Sequence, residues 1–107
     1  MRAIHIDSYT QQVLEIDVLP AAVQQTACDL LHCERVKMIH APPLGYMYVH
    51  EGSWCAEPKT GFTVPSMPCS VLEAAVLVGP YDNDGRETAT TVTLKKAIAV
   101  VKWENYE

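Results

Sequence analysis

The stretch Tyr46-Met47-Tyr48-Val49-His50-Glu51-Gly52 decides the fold together with the apolar run Val71-Leu72-Glu73-Ala74-Ala75-Val76-Leu77-Val78-Gly79 and the segment Pro80-Tyr81-Asp82-Asn83-Asp84-Gly85 that follows it. Residues 45–50 alternate, which is the pattern of a strand with two different faces. Tyr46, Tyr48 and His50 fall on one face, Met47 and Val49 on the other, and Glu51-Gly52 supplies a turn. A run that is apolar except for Glu73 predicts a central strand buried on both faces. Asp82-Asn83-Asp84-Gly85 ends it with strong turn chemistry. Strand, turn, irregular loop, buried strand and tight turn follow in that order, and no catalytic signature lies inside them.

Upstream, residues 3–7 and 13–18 also alternate. Ile4 and Ile6 oppose His5 and Asp7, while Leu14, Ile16 and Val18 point inward and Glu15 and Asp17 outward. The polar residues 8–12 join the two into a β-hairpin. Leu19-Pro20 then opens a helix, because proline costs nothing in a first turn where its N–H is unused. Val23, Ala27, Leu30 and Leu31 form one apolar stripe, with Gln24, Gln25 and Asp29 on the wet side. Residues 35–41 read as a strand stopped by Pro42-Pro43. Periodicity dissolves over residues 53–68, which predicts the longest loop. In the last segment Leu94, Ala97, Ile98 and Val101 have helical spacing, while the threonines and valines favour strand; a helix over about residues 93–103 is the preferred reading. The expectation is a single α+β domain over residues 1–107. It holds a mainly antiparallel sheet of about five strands, a helix after the first hairpin and a C-terminal helix.

Bulk composition narrows the function. At 107 residues there is room for one modest core. A net charge of −5, with eight scattered lysines and arginines, argues against direct nucleic-acid binding, which needs a basic stripe. An acidic surface suits a basic surface on another protein, although charge also serves solubility. No stretch approaches the roughly 20 apolar residues of a membrane span. Met1-Arg2 leads into a short alternating segment with no long apolar region, so no export signal is expected. Reduced thiols in a cytoplasm are then the default for Cys28, Cys33, Cys55 and Cys69.

Three blocks carry a resemblance: Arg2-Ala3-Ile4-His5-Ile6-Asp7, Tyr48-Val49-His50-Glu51-Gly52, and Ala75-Val76-Leu77-Val78-Gly79 with the following Asp82-Asn83-Asp84-Gly85 and amphipathic tail. With this order of elements the chain resembles a family of small domains of unknown function carried by phages, plasmids and other mobile elements of bacteria. The family shows an acidic residue where His50 stands, and an asparagine-rich turn that Glu57-Pro58-Lys59-Thr60-Gly61 lacks. The resemblance implies a phage or plasmid origin and a cytoplasmic home in a bacterial host. It implies no activity, cofactor or catalytic residue.

Each candidate chemistry competes with an ordinary structural role. Zinc would need Cys28 and Cys33 with ligands drawn from His32, His40, His50, Cys55 and Cys69. On a continuous helix Cys28 and Cys33 point about 140° apart, so both approach one metal only if the helix ends between them. Packed thiols are the favoured reading, and no metal is expected. A calcium loop fails because aligning Gly85 to the required glycine puts Pro80 first and Thr91 last. A Cys–His nucleophile would pair Cys55 or Cys69 with His50, and no Gly-x-Ser-x-Gly elbow or phosphate-cradling glycine loop exists. Glu73 must be paired, shifted in pKa or placed where it reaches water, and the last is favoured. No catalytic residue and no cofactor are assigned.

The aromatic residues offer a binding surface instead. Tyr48, His50, Glu51, Trp54, Phe62 and Tyr81 cluster around the strand and the long loop, although the rings are equally suited to packing a small sheet. The leading expectation is a non-enzymatic accessory protein that binds a host protein, such as a component of a defence system. A module that sequesters a small ligand or nucleotide is the alternative, with Lys59 and Arg86 as the nearby cations. An uncharacterised enzyme ranks last. A monomer or a homodimer is expected, with Lys37 on a candidate edge strand opposing sheet extension.

Overall fold

The computed structural model describes residues 1–51, 60–66 and 73–105. Strands β1 (Arg2–Asp7) and β2 (Gln12–Asp17) form the N-terminal hairpin, in the register Ile4↔Glu15 and Ile6↔Val13. A 3-10 turn over Pro20–Ala22 leads into α1 (Val23–Leu31). Strands β3 (Val36–His40) and β4 (Tyr46–His50) make the second hairpin, linked through a cis Pro42-Pro43 bond and Gly45 at φ 81°. Strand β6 (Ala74–Val78) enters between the hairpins, antiparallel to both β1 and β4. The sheet order is β2-β1-β6-β4-β3. This is the α+β single domain that the hydrophobic pattern demands.

Both faces of the sheet are covered. Ala3, Tyr48, Val76 and Val78 pack beneath Val23 and Ala27 of α1. On the other face Ile4, Ile6, Met47, Val49, Ala75 and Leu77 meet Leu44, Phe62, Val64, Val92 and Ala97. The central position of β6 explains why its side chains are apolar on both sides, since neither face sees water. Helix α2 (Leu94–Val100) closes the second face, with the Thr93 hydroxyl accepting from Lys96 N at 3.1 Å as its N-cap. Among the described residues, no helix is long and apolar enough to cross a membrane.

Three expectations need correction. Residues 53–68 are not all loop, because β5 (Thr60–Thr63) lies within them and pairs with β7 (Lys102–Asn105) as a separate two-stranded sheet. The C-terminal helix therefore ends at Val100, and Trp103 belongs to a strand. A four-residue strand whose partner lies some forty residues away carries too few alternations to register as a pattern. Leu14 is 48% exposed, not inward. It sits on the edge strand β2, whereas α1 packs chiefly over β3, β4 and β6.

Candidate functional site

The six residues expected to share a surface do not share one. Phe62 is 0% exposed in the core, edge-on to Trp103 with ring centroids 6.4 Å apart. It covers the sheet face opposite to the one that carries Tyr48. Trp54, like Cys55 and Cys69, lies outside the described residues. Tyr48 is buried beneath α1, and only its hydroxyl finds polar company.

That hydroxyl donates to Glu87 Oε1 at 2.8 Å and lies 3.1 Å from the hydroxyl of Tyr81. Gln24 Nε2 donates to the same Glu87 oxygen at 3.3 Å, tying the first turn of α1 to the connection after β6. Burial, then the bonds to Tyr81 and Glu87, hold the Tyr48 phenol well above its ordinary pKa. The connection is folded back by the acidic turn. Asp82 Oδ1 accepts from Asp84 N at 2.9 Å and Arg86 N at 3.0 Å, with Gly85 at φ 76°. Gly79 lets the returning chain approach, since a Cβ there would strike the carbonyl oxygen of Ala89 and the hydroxyl of Thr88. Tyr48 and Tyr81 therefore belong to a structural polar cluster.

His50 and Glu51 are exposed, and they lie where a site does form. Strands β1 and β4 run in one direction on either side of β6, so their C-terminal ends meet the N-terminal end of β6. The C-terminus of α1 arrives at the same end of the sheet. Between them is a cleft of about 280 Å³ lined by Asp7, Tyr9, Leu30, Leu31, His32, His50, Glu73 and Ala74. His32 and His50 also line an adjoining, more open hollow of about 530 Å³, together with Cys33, Glu34, Arg35 and Glu51.

Local structure places each of these groups. Asp7 ends β1, and its Oδ1 accepts from Tyr9 N at 2.9 Å, which folds the next residues into a tight turn. Ser8 N donates to Glu73 O at 3.1 Å and so extends the pairing of β1 with β6 by one rung. The Tyr9 hydroxyl then donates to Glu73 Oε2 at 3.1 Å. Partial burial and this bond raise the Tyr9 phenol above its usual value. Glu73 thus stands just before the buried strand and reaches the cleft, in keeping with an acidic residue that stays out of the core.

Helix α1 delivers its C-terminal residues because His32 adopts a left-handed conformation, φ 52° and ψ 47°, and turns the chain away. His5 lies on the same face of β1 as Asp7, and its buried Nε2 has no hydrogen-bond partner. Burial lowers its pKa below the ordinary histidine value; Asp7 opposes that shift and His32 adds to it. Chemically the cleft offers two carboxylates, a phenol and two imidazoles against the wall of Leu30 and Leu31.

The metal candidates do not assemble. Among the described residues, no three His, Cys, Asp or Glu side chains are placed to hold a metal ion. His40 stacks on Tyr46 with centroids 4.7 Å apart. Asp7 and Glu73 each had a visible oddity in the sequence, one closing an alternating strand and the other interrupting an apolar run. Nothing in the sequence links them, since their proximity requires β6 to insert beside β1. No protein-family model, no curated protein and no solved structure matches this chain.

Proposed function

We propose that the protein is a non-enzymatic accessory protein of a phage or mobile element. In this reading it acts in the bacterial cytoplasm, as a monomer or homodimer, by binding a host protein, and its cleft takes an arginine or lysine side chain of that partner. One observation carries the reading: Asp7 and Glu73 converge in a cleft at the carboxyl end of α1. Carboxylates and the negative end of a helix dipole both favour a cation. Leu30 and Leu31 offer an apolar wall for the aliphatic stem, and Tyr9 adds an aromatic ring for the charged head. The overall charge of −5 draws a basic partner toward the surface. A nucleotide is less well served, because its phosphates would meet Asp7 and Glu73.

The test is capture of a stoichiometric partner from host lysates with the wild type and with the Asp7→Asn/Glu73→Gln double variant. Both amides keep an acceptor for the internal bonds from Tyr9 and remove only charge. A loss of affinity of at least about tenfold, equivalent to 1.4 kcal/mol, is expected, with weaker wild-type binding as salt rises. Full retention by the double variant, or no stoichiometric partner across several hosts, would overturn the proposal.

A further inference from the structure

The end of α1 places two cysteines side by side. His32 N donates to Asp29 O at 3.4 Å, and Cys33 N donates to Cys28 O at 3.0 Å. With His32 left-handed, these two bonds form a Schellman cap. In that motif the residue three before the cap and the second residue beyond it come together, usually as an apolar contact. Here those positions hold Cys28 and Cys33. The turn removes the roughly 140° divergence that a continuous helix would impose on them.

The main-chain bond between them brings both residues to the same end of α1, where Cys28 Sγ donates to Glu34 O at 3.5 Å. Both are free thiols of intermediate burial. The bond between their main chains already holds the backbones together, so joining the sulfurs requires side-chain rotation and little movement of the chain.

We propose that Cys28 and Cys33 are an oxidisable dithiol, which a small-molecule disulfide converts into an intramolecular disulfide across the cap of α1. One cysteine thiolate attacks a sulfur of the oxidant, forms a mixed disulfide and expels one thiol. The second cysteine then attacks the protein sulfur of that mixed disulfide and expels the second thiol. Two electrons pass from the cysteine pair to the oxidant, and the two thiol protons leave with the two released thiols. Burial, then the nearby Cys28, raises the Cys33 thiol, so closure is faster in mild alkali than at neutral pH. The dithiol stands on the cap geometry, whatever the cleft binds.

Intact wild-type protein is incubated at rising ratios of oxidised to reduced glutathione, alkylated and digested with trypsin. Cys28 and Cys33 share the peptide 3–35, while Cys55 and Cys69 fall on the separate peptides 38–59 and 60–86. Peptide 3–35 is expected to become lighter by two hydrogens and to lose both alkylation sites. Dithiothreitol before alkylation is expected to restore both. A peptide that stays fully alkylatable, takes up glutathione without closing, or crosslinks to either of the other two overturns the proposal.

Discussion

Replacing Phe62 by alanine removes a ring that is 0% exposed and packed with Ile4, Ile6, Met47, Leu77 and Val92 in one core cluster. Truncating a buried phenylalanine costs about 3–5 kcal/mol, the lost transfer energy plus the cavity left behind. A domain of this size has roughly 5–15 kcal/mol in total, so the variant should lose a large share of its stability. Each kcal/mol moves the melting temperature of such a domain by about 4–8 °C. A drop of more than about 10 °C is therefore expected. Phe62→Leu keeps most of the apolar volume but loses the edge-on contact with Trp103, and about 1–2 kcal/mol is expected there.

Urea unfolding followed by circular dichroism measures both variants, with the slope serving as a check on two-state behaviour. A ring at an exposed binding surface would change stability by less than about 0.5 kcal/mol. A Phe62→Ala cost below about 1 kcal/mol at unchanged slope would refute the placement of Phe62 in the core. A fall in the slope would refute the premise that β5 and β7 unfold together with the main sheet.

Buried polar groups give three further predictions. Tyr48→Phe removes the donor to Glu87, which keeps Gln24 and some access to water, so a loss of about 1 kcal/mol is expected; an unchanged or higher urea midpoint would contradict the clamp. In a spectrophotometric titration of the wild type, Tyr48 should stay protonated after the exposed tyrosines ionise. The folded protein holds His5 at a lowered pKa, so the unfolded chain binds more protons near and below the usual value of 6.5. Its contribution to stability is complete above about pH 6.5 and is lost as the pH falls through the lower folded-state value. An NMR titration placing the His5 midpoint at or above 6.5 would show the sign to be wrong.

Much of this architecture was legible before any coordinates. The alternation of residues 3–7 and 45–50, the stripe of Val23, Ala27, Leu30 and Leu31, and the apolar run from Val71 to Gly79 each report one local period. Local periods depend only on which face of an element is hidden from water. The turn at Asp82-Asn83-Asp84-Gly85 is equally local, because the aspartate side chain and the glycine meet its backbone demands within a few residues.

Phe62 and Trp103 show the opposite case. Each is a large aromatic ring of a kind that serves equally in a core or at an interface, and only their pairing across β5 and β7 assigns both to packing. The cleft is also a product of topology. Asp7 and Glu73 are separated by most of the chain and become neighbours because β6 inserts beside β1. Cys28 and Cys33 diverge on an ideal helix and meet because His32 turns left-handed. By itself, then, the sequence determined the strands of the main sheet, the apolar stripe of α1 and the α+β class, since these follow from short-range periodicity, but not β5, β7 or the exposure of Leu14. Only the tertiary structure decided which aromatics are core, which carboxylates line one cleft and which two cysteines the helix cap brings together, because those depend on long-range strand order and on one residue's backbone conformation.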